Sequence, residues 1–228
     1  MKEALGDQLQ CVCSTVGFEC EIWHEHYYPD ECPPEWRIAY FMNDFRAVYL
    51  LESDWFENHQ LIEAIAEELE EKFELVLQWP PDVTPQTIDE VLQQLTPLEQ
   101  NVACMVLQAD AQSPAALQQC VQKLVRRYAV NFDCSLPVSA ETLATAKEYG
   151  IGFVWRGDDN TQHLMTGDYQ LVVLPCPNLR QASAMLKRLQ NAGREQEQPR
   201  IGVFLEASTH SPQRALELRT VIELMGMA

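Results

Sequence analysis

The sequence predicts a two-domain α/β protein, with an acidic α+β unit over residues 1–95 and a mostly parallel, open α/β sheet over 96–228. Three observations predict it. From residue 101, apolar strand-like runs alternate with helical segments, the pattern of a parallel sheet covered on both faces. Before residue 100 the order reads helix, antiparallel three-strand meander, helix. The charge divides at the same place. Residues 1–100 hold 4 Lys and Arg against 22 Asp and Glu, residues 101–228 hold 12 of each, and the formal net charge is −18.

In the first unit, Leu5, Leu9, Val12 and Val16 are near helical spacing, and Gly17 is placed to end a helix over 2–16. Phe18, Cys20, Ile22, His24 and His26 then alternate with Glu19, Glu21, Trp23 and Glu25, which predicts a strand. PDECPPE breaks it. WRIAYFM and RAVYLLE read as the second and third strands. ENHQLIEAIAEELEEKF is a helix with Leu61, Ile62, Ile65, Ala66 and Leu69 on its apolar face. ELVLQW (74–79) is a further strand. TPQTIDEVLQQL is a short helix opened by Thr84 and Pro85.

The second unit alternates throughout. NVACMVLQ, AVNFD, IGFVW, YQLVVLP and RIGVFLEA are strands. Between and after them lie helices in SPAALQQCVQKLVRRY, SAETLATAKEYG, LRQASAMLKRLQNAG and SPQRALELRTVIELMG. Ser113 and Ser139 are placed as N-caps, and Gly150 and Gly193 as stops.

Composition bounds the function. The apolar fraction of 46% fits a globular protein. No apolar run has the length needed to span a bilayer. MKEALGDQLQ lacks the basic and apolar regions of a secretory signal, so the eight cysteines are expected as free thiols in a reducing cytoplasm. A surface this acidic repels nucleic acid and favours a protein partner with a basic surface.

The stretch FECEIWHEHYYPDECPPEW (18–36) holds the densest chemistry. Cys20, His24 and His26 on one strand face, with Cys32 returning from the turn, have the donor atoms of a zinc site. The usual zinc-ligand spacings are missing. The other reading is an exposed aromatic and acidic surface of Glu19, Glu21, Trp23, Glu25, Tyr27, Tyr28 and Trp36 that binds a protein partner.

Catalytic signatures are sparse. There is no G-x-S-x-G elbow and no phosphate-binding glycine loop. Cys176, between two prolines at a strand end, is the best-placed thiol, with His163 and His210 as candidate bases. Asp158 and Asp159 in RGDDNTQ are candidate ligands for a divalent cation with phosphate. The expected function is a non-catalytic cytoplasmic adaptor, chaperone or regulatory protein with no cofactor. The alternative is an enzyme at the C-terminal rim of the second sheet, using Cys176, Asp133, Asp158, Asp159 and Glu206.

Residues 130–210 resemble the receiver domain of response regulators. AVNFDCS matches its first strand and acidic pair, GDYQLVVLP its third strand, and PRIGVFLEAS its fourth. The resemblance implies a degenerate receiver used for contacts, because Pro175 stands at the phosphoacceptor position and only Asp133 remains of the acidic pair. The layout of the first unit is also similar to small acidic chaperones of bacterial secretion systems.

Overall fold

A computed structural model describes residues 10–56, 58–69, 72–84, 87–157, 165–193 and 200–227. The chain begins with strand β1 (Cys11–Thr15), followed by helix α1 (Pro34–Asp44), β2 (Ala47–Leu50), α2 (Glu52–Trp55), α3 (His59–Glu68), β3 (Glu74–Gln78) and α4 (Ile88–Gln94). Then come β4 (Val102–Gln108), α5 (Pro114–Leu124), β5 (Ala129–Asp133), α6 (Ala140–Tyr149), β6 (Gly152–Phe153), β7 (Tyr169–Leu174), α7 (Leu179–Gly193), β8 (Arg200–Leu205) and α8 (Ser211–Leu224).

The α/β class and the parallel sheet are as expected. Every described strand pairing is parallel. Strands β2 to β6 run side by side in chain order, and β7, β8 and β1 form a second run. Two single bridges join the runs, Val16 with Tyr49 and Trp155 with Val172. At the first, the Gly17 N–H donates to the Tyr49 carbonyl at 2.7 Å; at the second, the Trp155 N–H donates to the Leu171 carbonyl at 2.9 Å. The eight described strands thus close in the order β1 to β8, each except β6 followed by a described helix, as in a (β/α)8 barrel. The sheet also runs across the expected 95/96 boundary, because β3 pairs with β4 and β1 with β8.

Several N-terminal elements differ from the expectation. Residues 11–15 form β1, and the rest of the expected helix over 2–16 lies mainly outside the described residues. Val12 and Val16 are four apart, a spacing that serves a strand face as well as a helix face. The strand expected over 18–26 is a loop with one 3-10 turn at Glu21–Trp23. WRIAYFM belongs to α1. Pro34 sits in its first turn, where a missing N–H costs nothing, and Ile38, Phe41 and Met42 are buried at helical spacing. No antiparallel meander forms among the described residues. Helix α4 is Ile88–Gln94, and Pro85, expected in its first turn, lies outside the described residues.

The caps expected in the second half form. The Ser113 Oγ accepts from the Ala116 N–H at 3.4 Å, and the Ser139 Oγ accepts from the Thr142 N–H at 3.1 Å. Gly150 ends α6 in the left-handed region.

Strand residues divide by parity into two buried layers. Val48, Leu50, Leu75, Leu77, Met105 and Leu107 pack outward with the helices. Tyr49, Val76, Cys104, Val106, Leu171, Val173 and Phe204 pack together inside the ring. At the N-terminal end of the strands the interior is polar: Arg200 pairs with Glu74, and the Tyr169 hydroxyl donates to the Glu74 carboxylate at 3.1 Å. Gly202 is needed there, because a Cβ would lie 2.6 Å from the Tyr169 hydroxyl.

Candidate active site

The C-terminal ends of the strands gather a polar cluster above the apolar interior. Asp133 ends β5, Arg156 follows β6, and Glu206 follows β8. The Arg156 guanidinium donates through Nη2 to Asp133 Oδ2 at 2.7 Å and through Nη1 to Glu206 Oε1 at 2.9 Å. Its Nε lies 3.4 Å from Asp133 Oδ1, so the Asp133 contact is two-pronged. Burial works against the guanidinium charge, but Asp133 and Glu206 outweigh it and hold its pKa above the ordinary value. The Asp133 side chain is the more enclosed partner, 17% exposed.

These residues line a central cavity of about 320 Å³ together with Glu19, Cys20, Tyr49, Asp54 and Gln78. Arg156 also borders two neighbouring cavities. One, about 600 Å³, lies at the ends of β4 and β5 and is lined by Gln108, Asp110, Asp133, Cys134, Ser135 and Arg156. The other, about 480 Å³, lies between the ends of β6 and β7 and the start of α7, and is lined by Arg156, Cys176, Gln181, Met185 and Arg188. Arg156 borders all three, so the cavities form adjoining parts of one cleft around it.

Tyr49 and Gln78 form the floor. Tyr49 is 2% exposed, and burial pushes its phenol well above the ordinary range, with Asp133 adding to the shift. It is a proton and hydrogen-bond donor at neutral pH. Gln78 holds its place through Oε1, which accepts from the Glu52 N–H at 3.3 Å. Burial pushes the Cys104 thiol up to about 12 and the Cys134 thiol to about 11, the latter helped by Asp110 and Asp133. Neither is a ready nucleophile at neutral pH.

Asp54 stands at the cavity edge in α2, and its Oδ2 accepts from the Leu51 N–H at 3.0 Å. Burial raises its pKa, against the hydrogen bonds from Leu51 and Ser53. A carboxyl raised in the folded state holds its proton more tightly there. Its stabilising contribution is therefore full below the unfolded pKa and lost as pH rises through the folded one. Asp54→Asn keeps the Leu51 contact without the charge. It is expected to raise stability at neutral pH by less than about 1 kcal/mol, discounted for solvent screening, and to give no gain in acid. Thermal unfolding at the two pH values checks this, and a less stable variant at neutral pH would contradict it.

The sequence-predicted sites fare unevenly. Asp133 and Glu206 are brought together, with Arg156 between them. Cys176 borders the neighbouring cavity. His210 precedes α8 on the surface. Asp158, Asp159 and His163 lie outside the described residues. Cys20, His24, His26 and Cys32 fall on the loop and turns after β1, and among the described residues no three His, Cys, Asp or Glu side chains come together as a metal site.

The aromatic surface expected over 19–36 does not form. Trp23 is fully buried, and its indole N–H donates to the Ser208 carbonyl at 2.7 Å. Tyr28 is buried and bonded to the Phe18 carbonyl, and Tyr27 donates to Asp44 at 3.1 Å. Of the four aromatics only Trp36 is exposed, at 66%. Glu19 pairs with Arg37, while Glu21 and Glu25 remain on the surface. The sequence pattern does not point to Tyr49 or Asp54 as site residues. Arg156 and Gln78 carried a signal, a polar residue closing an apolar strand in IGFVWR and ELVLQ.

No protein-family model and no curated protein matches the sequence. Solved structures do match. A DUF72 family protein from Enterococcus faecalis is similar with a TM-score of 0.69 at 10% identity, covering 94% of this chain and 96% of its own. A second structure of it gives 0.66 at 11%, covering 94% and 98%. The apo form of the homocysteine methyltransferase MmuM from Escherichia coli gives 0.52 at 13%, covering 94% and 96%. At such identities the likeness is one of fold.

These findings correct two expectations. The receiver resemblance is overturned, because the chain matches DUF72 and methyltransferase structures over nearly its whole length and its strands close into a ring. The adaptor, chaperone-like and regulatory reading is overturned with it. Its aromatic surface is mostly core, and an enzyme is among the proteins that share the fold. No helix among the described residues is long and apolar enough to cross a membrane.

Proposed function

We propose that the protein is an enzyme working by acid–base chemistry at the C-terminal mouth of the barrel. The observation that carries this is Arg156 joined to two carboxylates from different strand ends inside an open cleft. Strand C-termini are where barrels of this architecture hold their reacting groups. Asp133 and Glu206 are the groups that exchange protons with a substrate, and Arg156 fixes their separation and orientation. The eight unpaired cysteines support a reducing compartment, the cytoplasm. The net charge of −18 supports a substrate other than nucleic acid.

The test is metabolite profiling. Pure protein is incubated with a small-molecule extract, and depleted and newly formed compounds are followed by mass spectrometry. Wild-type protein should convert at least one compound. Asp133→Asn and Glu206→Gln should slow that conversion by about 100-fold or more, the scale of a lost acid–base group, while Cys176→Ala leaves it intact. Conversion that survives both carboxylate changes and fails in Cys176→Ala would move the chemistry to the thiol. No conversion of any compound would remove the enzymatic reading.

A further inference from the structure

The charges around the central cavity are unbalanced. Glu19, Asp54, Asp133 and Glu206 line it against a single lining cation, Arg156. Arg37 pairs with Glu19. Arg156 is shared by two carboxylates. Asp54 has no basic partner among the described residues. An anion entering here meets excess negative charge, and a cation meets its complement.

Independent of that charge, two largely buried side chains, Tyr49 and Gln78, line the cavity with polar groups. Tyr49 is 2% exposed, and among the described residues its hydroxyl has no hydrogen-bond partner. A tyrosine whose body is buried and whose hydroxyl is left open in a cavity wall offers that hydroxyl to a ligand atom. Gln78, 8% exposed, uses its carbonyl oxygen on Glu52 and has no partner for its amide nitrogen among the described residues. Both groups donate, so the complementary ligand atom is an oxygen acceptor. A volume of about 320 Å³ is at the small end of ligand sites.

We propose that the central cavity takes a small organic cation, an amine with a hydroxyl or carbonyl oxygen on a neighbouring carbon. The ammonium lies against Asp54, Asp133 and Glu206, and the oxygen against Tyr49 and Gln78. This names the substrate class of the active site proposed above and rests on that reading.

The experiment uses the full chain and probe sets that differ only in charge: ethanolamine, ethylene glycol and glycolate, then glucosamine, glucose and glucuronate. Binding is measured by calorimetry and by shift in melting temperature. The amine of at least one set should bind about tenfold or more tightly than its neutral partner, with the acid weakest. Tyr49→Phe should weaken that amine about fivefold or more with little change in the melting temperature of the free protein. An acid that binds as tightly as its amine, or no amine binding at millimolar concentration, overturns the proposal. An acid whose binding is lost in Arg156→Met overturns the cation preference but leaves the active site in place. Retained conversion in the Asp133 and Glu206 variants is the separate result that removes the site itself.

Discussion

Gly152→Ala is expected to destabilise the protein by about 3 kcal/mol, the upper end for forcing atoms into a packed interior. For a chain of this size that is a fall of about 6–12 °C in melting temperature. The reason is close approach. A Cβ on Gly152 would lie 2.1 Å from the Thr166 carbonyl oxygen and 2.7 Å from Asn131 Oδ1. The first of these is backbone and has no rotamer to change. Asn131 is buried and held by donating to Cys104 Sγ at 3.1 Å and to the Tyr169 carbonyl at 2.8 Å. Gly150, two residues earlier, is the comparison. It has positive φ but nothing within 4 Å of an added Cβ. Gly150→Ala should cost only the left-handed backbone penalty of about 1 kcal/mol. Thermal unfolding of the two variants side by side separates steric from conformational need, and equal losses would refute the close-approach argument.

That contrast also shows what a sequence discloses. Gly150 was legible as a helix stop because SAETLATAKEYG carries its cap, its pattern and its end within twelve residues. Gly152 was not, because its need comes from Thr166 and Asn131, distant in the chain. The same division holds for whole elements. From residue 101 on, each described strand and α-helix is readable from its own apolar pattern. Ring closure was not, since it depends on bridges made by Val16 and Trp155 just beyond their strands.

In the N-terminal half the local signals conflicted. EIWHEHYY alternates like a strand, but Trp23 is drawn into the core, its N–H satisfied by Ser208 at 2.7 Å. WRIAYFM is rich in residues that favour strands, yet Pro33 and Pro34 start a helix and Ile38, Phe41 and Met42 keep a helical period. At the site, Asp133 and Glu206 were legible as polar ends of apolar strands. Their shared partner was not, because Arg156 meets Glu206 fifty residues away only when the ring closes.

Arg156→Met is expected to produce the largest functional loss, about 1000-fold in the conversion found by metabolite profiling, equivalent to about 4 kcal/mol of transition-state stabilisation. The methionine preserves most of the side-chain length and removes the charge and every donor. Asp133 and Glu206 then face one cavity with no cation between them. Their mutual repulsion turns both away from the positions that Arg156 sets at 2.7 and 2.9 Å. The stability cost should be smaller, about 1–2 kcal/mol. Severing a fully buried pair costs about 3–5 kcal/mol, but Arg156 and Glu206 are both partly in water. Arg156→Lys is the informative companion. It restores the charge but not the planar fork, so one ammonium cannot reproduce the two-pronged hold on Asp133 while reaching Glu206. Lysine should therefore recover most of the stability and little of the rate. If lysine restored the rate as fully as the stability, Arg156 would act only as a counter-charge. If methionine left the rate unchanged, the chemistry would lie elsewhere in the cleft.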